Sequence, residues 1–379
     1  MTDKTVRLSV GQAIVRYLTH QYTERDGNER RFIRGVFGIF GHGNATGLGQ
    51  ALLQNEVAPD DEEGRLEYWM GRNEQGMVHA CSAYARATNR LQALAATASI
   101  GPGSLNMVTG AALATTNRVP VLLFPADIFA NRAPDPVLQQ LEDPTNPDVS
   151  CNDAFRPVSK FWDRVNRPEQ LMVSLPRAMR VLTDPVDTGA AVICLPEDVQ
   201  TEVYDWPVSF FDKKVWYIDR RRPDTAALGR AVAAIRSARR PLIIAGGGTI
   251  YSEASQQLRE LATATGIPVS DTQAGKGAIT GIIRVQSAVL VPRAPTVPMR
   301  WRPGRTSSSG WEPGTRTSPP HPRRPSRTRT CGSSTSTSPP STRPSRAPRW
   351  WWPMLARPSR LSPKSWPTTT STRSGVTSP

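Results

Sequence analysis

No two cysteines of this chain form a C-x-x-C pair, and only four occur, Cys81, Cys151, Cys194 and Cys331. That spacing excludes the common zinc and dithiol motifs and predicts free thiols, with Cys81 and Cys194 inside apolar patterns where burial is expected. The four histidines, His20, His42, His79 and His321, form no ligand motif, so no metal site is expected from them. No uncharged run is long enough to span a bilayer. The stretch MTDKTVRLSV lacks a basic segment followed by an apolar one, so no signal peptide is read there and the cytoplasm is the expected compartment.

Charge imbalance is also missing from most of the chain. A formal net charge of +15 over 379 residues points at first to nucleic acid or a membrane surface. Its location overturns that. Residues 291–379 hold fifteen Arg, one Lys and a single acid, Glu312, which leaves 31 bases and 31 acids before them. The same segment has no Ile, Phe, Tyr, Asn or Asp, and Pro, Ser, Thr and Arg make up 64 of its 89 residues. Such a composition does not bury enough apolar surface to offset chain entropy, so a disordered tail is expected over 284–379.

Two origins compete for that tail. One is a basic nucleic-acid-binding extension, the other GC-rich coding DNA read out of frame. The letters favour the second. A coding stretch for DVVIGVGTRYTDFTTAS, read one base downstream with suitable codons, gives TSSSGWEPGTRTSPPHP, which is 306–322 here. Likewise VRFVNLNVAAFDAA yields CGSSTSTSPPSTRP from Cys331, and VVADARAAL yields WWPMLARPS from Trp351. The recovered strings read as apolar strands and a helix start.

From Val10 to about Thr280 the pattern alternates between helical and strand periods, as a parallel α/β sheet requires. Val10, Ile14 and Leu18 give one face of a first helix. GVFGIF, LQALAATAS, PVLLFPA and GAAVICLPED read as strands. MVHACSAYARATN, SLNMVTGAALATTNR and the stretch around EQLMVSLPRAMRVL read as helices, the last kinked or divided at Pro176. TEVYDWPVSFFDKK reads as a linker. A second α/β unit then opens with a helix at Pro223 and Asp224, and runs through PLIIAGGG, SEASQQLRELATATG and IPVSD. The expected domains are 1–200, 201–283 and the tail.

Two glycine-rich stretches, GHGNATGLG and IAGGGTIY, follow strands and precede helices, where backbone N–H groups are able to cradle an anion. Neither fits G-x-G-x-x-G with a suitably placed acid, and tight packing turns are the plainer alternative. Residues 71–127 are more specific. Their R-x-E-Q helix start, S-x-G-P-G-x-x-N turn and strand after x-x-P resemble the pyrimidine-binding domain of thiamine diphosphate enzymes of the acetolactate synthase type. Residues 240–279 resemble the middle domain of the same superfamily, and the likeness covers residues 5 to about 280. GVFGIFGHGN, TASIGPG and DAFRPVSKFWDR resemble a ring-opening branch of it. Where acetolactate synthases tend to carry a Pro-Gly turn after the first strand, this chain has GHGN.

The resemblance implies an α/β fold, with a pyrimidine-binding domain followed by a truncated Rossmann-like middle domain. It implies a thiamine diphosphate-dependent hydrolase that cleaves a C–C bond of a small cyclic dione, the chain being inactive alone. Glu74 is implied as the carboxyl that hydrogen-bonds the aminopyrimidine ring and promotes the imino form. A helix N-terminal carboxylate favoured by the dipole is the alternative. Gly101, Gly103 and Asn106 are implied in the cofactor pocket, where glycine permits close backbone approach; a helix-opening turn is the alternative. His42 and Asn44 are implied near the substrate, His42 as a proton-transfer group, against an exposed loop histidine. The family holds diphosphate and Mg²⁺ with a Gly-Asp-Gly motif on another domain, and these 379 residues contain no such motif. A homodimer or homotetramer is the implied assembly. A carboligase of the acetolactate synthase kind and a non-catalytic α/β protein with a nucleic-acid-binding tail remain open beside this reading.

Overall fold

Ser9 ends the first strand and starts the first helix by a reciprocal cap. Its Oγ accepts from Gln12 N (3.2 Å), and Gln12 Oε1 accepts from Ser9 N (2.9 Å), so two helix-terminal donors are satisfied at once. The computed structural model describes residues 4–59, 64–146 and 148–279. The expected tail, with Cys331 and His321, lies outside the described residues.

In chain order the first part comprises β1 (Thr5–Ser9), α1 (Val10–Thr19), β2 (Gln21–Arg25), β3 (Asn28–Arg31), β4 (Ile33–Ile39), α2 (Gly41–Asn44) and a π-helical turn over Ala45–Gly49. It continues with α3 (Gln50–Val57), β5 (Glu67–Met70), α4 (Glu74–Ala87), β6 (Ala93–Ala98), α5 (Pro102–Leu105), α6 (Val108–Thr116) and β7 (Val121–Asp127). A 3₁₀ turn at Cys151–Val158 leads to β8 (Phe161–Arg164), α7 (Leu171–Leu182) and β9 (Ala190–Pro196), and a second 3₁₀ turn, Val199–Thr201, precedes β10 (Val203–Pro207) and β11 (Lys214–Tyr217).

Six strands form one parallel sheet in the order β5-β4-β6-β7-β9-β8. The strands β6, β7 and β9 read as continuous apolar runs because both faces are covered there. Period-2 alternation divides each strand between two cores. Ala93 and Ala95, Leu122 and Phe124, and Ala191, Ile193 and Leu195 face α1, α3 and α7. Leu94 and Ala96, Val121 and Leu123, and Ala190, Val192 and Cys194 face α4 and α6. Burying each of the larger side chains contributes about 1.5–3 kcal/mol. Cys81 and Cys194 are buried free thiols, and burial pushes the pKa of both upward.

Three expectations change. Of the two outcomes expected at Pro176, division is overturned: Leu171–Leu182 is one helix with Pro176 inside it, its face of Leu171, Leu175, Ala178, Met179 and Leu182 anchored in the core. GHGNATGLG is helical rather than an open loop. The stretch read as a linker is built into the first domain, because β10 pairs antiparallel with β1, β11 pairs parallel with β2, and Trp206 is fully buried. The boundary expected at residue 200 therefore moves past Tyr217.

The second α/β unit comprises α8 (Thr225–Ser237), β12 (Ile243–Ala245), α9 (Gly247–Tyr251), α10 (Ser255–Thr265) and β13 (Val269–Asp271), with β12 and β13 paired in parallel. Asp224 caps α8 by accepting from Ala227 N (2.9 Å). Gly266 ends α10 in the left-handed conformation, φ 67°.

Asp127, at the end of β7, has a fully buried carboxylate held bidentately by Arg164 of β8 (2.9 and 2.6 Å) and by Ser150 Oγ (2.9 Å). Removing one partner leaves an uncompensated buried charge. Asp127→Ala is expected to destabilise the fold by about 3–5 kcal/mol, read from urea denaturation. A change below about 1 kcal/mol would show that the pair is not an anchor.

Candidate functional site

The strand order reverses between β4 and β6, since β5 lies to one side of β4 while β6, β7, β9 and β8 follow on the other. In open α/β sheets such a switch point opens a crevice at the carboxyl ends of the strands. Here that crevice receives the segment after β4, which carries GHGN, and the turn after β6, SIGPG. Ser99 N donates to Ile39 O (3.1 Å) and joins the two. Gly41 has φ 54°, and a Cβ there would meet Ser99, so a side chain at this position is excluded twice.

Glu74 is the first residue of α4, after β5 at the same end of the sheet. Asn73 caps the helix by accepting from Gly76 N (2.8 Å). Across the crevice, the helix read over SLNMVTGAALATTNR is interrupted at Asn106, between α5 and α6. This break brings Asn106 Nδ2 to Glu74 Oε2 (2.6 Å). Glu74 Oε1 makes no hydrogen bond among the described residues. It sits over Gly103, where an added Cβ would stand 3.8 Å away. Gly101 turns the chain at φ 61°, and its open side abuts Gln139 O of the segment covering this end of the sheet. Ser104 Oγ ties the turn to Ser99 O (2.6 Å) and Ala126 O (3.0 Å).

Thus Glu74, Gly101, Gly103 and Asn106 are brought together. The other two expected residues diverge. Asn44 is 1% exposed and turned inward, its Nδ2 donating to Thr97 Oγ1 (2.5 Å) and Ala98 O (3.1 Å). Its short amide reaches β6 from a helical segment packed on the sheet, so it faces the core instead of the crevice. His42, in the same short helix, is half-buried, and its Nε2 is enclosed without a hydrogen-bond partner. Glu197, just after β9, lies near it. Burial pushes the Glu197 carboxyl up, while His42 works in the opposite direction. Sequence reasoning did not single out Glu197, Asp127, Arg164 or Gln200. Their partners stand far away in the chain, and only the LPEDVQ stretch after a predicted strand marks two of them.

A ligand that presents an N–H to Glu74 Oε1 and lays a flat face beside Gly103 fits this donor and acceptor set, whereas the space over Gly101 is filled by Gln139 O. Among the described residues no group of three His, Cys, Asp or Glu is placed to hold a metal ion, and no helix is long and apolar enough to cross a membrane.

Residues 30–146 match the thiamine pyrophosphate enzyme N-terminal TPP binding domain, and residues 228–281 match the thiamine pyrophosphate enzyme central domain. A 3D-(3,5/4)-trihydroxycyclohexane-1,2-dione hydrolase of Geobacillus thermodenitrificans is 54% identical over 275 residues. Proteins of that name from Bacillus cereus and Bacillus thuringiensis are 53% and 52% identical over 276 residues. Each comparison covers 73% of this chain and 42% of the relative, so the chain spans well under half the length of the relatives it matches. The chain belongs to the thiamine pyrophosphate enzymes, of which it carries the N-terminal TPP binding domain and the central domain.

Proposed function

We propose that residues 1–283 supply one end of a thiamine diphosphate site in an enzyme that opens 3D-(3,5/4)-trihydroxycyclohexane-1,2-dione by hydrolytic C–C cleavage, a step of myo-inositol breakdown. The observation that carries this reading is the Glu74 carboxylate, fixed through Oε2 by Asn106 and free at Oε1 above Gly103. The names of the relatives supply the substrate.

Bound thiamine diphosphate supplies carbanion reactivity toward a carbonyl carbon. Glu74 Oε1 would hold the aminopyrimidine end of the cofactor by a hydrogen bond and carry the proton shared there, and Asn106 keeps the carboxylate from rotating away. Gly103 lets the backbone approach the ring, and Gly101 supplies the turn that places it there. His42 stands at the substrate end as a hydrogen-bonding or proton-transfer group. Asn44, first expected at the substrate, acts one step behind it by holding the His42 segment against β6. Mg²⁺ and the diphosphate belong to a part of the enzyme with a Gly-Asp-Gly motif, which these 379 residues lack. The working form is a cytoplasmic homodimer or homotetramer that binds no nucleic acid.

A form extended to the length of its relatives, given thiamine diphosphate and Mg²⁺, separates the readings. Ring opening of the dione without condensation of pyruvate is the expected outcome. Condensation of pyruvate with the dione untouched would make the protein a carboligase instead.

A further inference from the structure

The segment carrying His42 is held by a residue outside it. Gln200, on the 3₁₀ turn Val199–Thr201 after β9, is 1% exposed. Its Nε2 donates to Gly43 O (2.9 Å) and Leu195 O (3.1 Å), and its Oε1 accepts from Leu48 N (3.2 Å). Both amide hydrogens and the carbonyl are therefore engaged. They tie the residue after His42 and the π-helical turn to the end of β9. The fit leaves no slack, because a Cβ at Gly47 would meet the Gln200 side chain, and a Cβ at Gly11 of α1 would stand 2.8 Å from Gly47 O. On the opposite side Asn44 ties the same segment to β6.

We infer that Gln200 is a positioning residue, fixing the Gly41–Gly49 backbone between β6 and β9 so that the His42 imidazole stays enclosed at the switch point beside Glu197. This rests on the reading of His42 given above. A backbone amide and carbonyl bridged by one buried side chain lose both bonds when that side chain changes, and local opening then exposes the neighbouring ring.

The test uses the 379-residue chain without substrate. Its readouts are amide hydrogen exchange at Leu48, the ring ¹H–¹³C signal of His42, and the rate at which diethyl pyrocarbonate modifies His42, with His20 and His79 as internal references. Gln200→Ala removes the amide, and Gln200→Met keeps the length and volume while removing only the hydrogen bonds. In both, exchange at Leu48 and modification of His42 are expected to rise at least about tenfold, the factor for one to two lost hydrogen bonds. The His42 signal shifts, and His20 and His79 keep their rates. Equal acceleration at all three histidines would mean general loosening and overturn the inference. So would wild-type behaviour of Gln200→Met, or rapid exchange of Leu48 in the unsubstituted chain, which is readable even where a variant does not fold. His42→Ala turning over the dione normally in the extended form would remove the role of His42 and leave the Gln200 result standing.

Discussion

Glu74→Gln, placed in the form extended to the length of its relatives, keeps its fold and loses about 10²–10⁴-fold in turnover, the range for a positioned proton-transfer group. The substitution is isosteric, and the contact to Asn106 decides its outcome. Asn106 Nδ2 donates to Glu74 Oε2, so a glutamine in this place turns its carbonyl oxygen toward Asn106. Its NH₂ is then left facing the crevice, where a proton acceptor is needed. The cofactor ring meets a donor instead of a carboxylate, while the packing above Gly103 is unchanged. Urea midpoints of the two proteins should agree, and turnover with saturating cofactor should fall. A loss below about tenfold would remove Glu74 from its assigned role.

The sequence revealed the sheet's central strands because their faces alternate between two apolar cores. VLLFPAD and AAVICLP have no other way to be read. It did not reveal β1, β10 or β11. TVRLS and VYDWP are half-exposed and polar, and they become strands only by pairing with each other across the domain. The same long range hid the Asp127–Arg164 pair and Gln200. A buried glutamine that bridges Gly43, Leu48 and Leu195 has no local periodicity to announce it.

At the site, Glu74 and Asn106 were readable from their motifs, whereas their mutual contact was not. It depends on the helix breaking at Asn106, which a continuous apolar pattern over SLNMVTGAALATTNR concealed. Asn44 was placed in the crevice because GHGN reads as a loop. Close glycine packing makes the segment helical and turns that side chain inward.

The second large effect concerns the cofactor. In the proposed site Glu74 and the SIGPG turn would address only its pyrimidine end, and charge-assisted contacts to diphosphate and Mg²⁺ would contribute most of the affinity. The composition of residues 291–379, with Glu312 its one acid and no Asn or Asp, offers no ligand set for them. The strings recovered one base away, beginning with DVVIGVG, resume the α/β pattern of the earlier residues. Residues 1–283 are therefore proposed to form one end of a thiamine diphosphate site whose other end is encoded in the neighbouring frame.

Titration calorimetry tests that claim on two proteins, the 379-residue chain and the product of the same gene with the frame shifted by one base after codon 283. Thiamine diphosphate with Mg²⁺ is expected to bind the second with a Kd of about 1 μM or tighter and to give no measurable heat with the first. Binding of that strength by the 379-residue chain, or none by the frame-shifted product once it is shown to fold, would contradict the account.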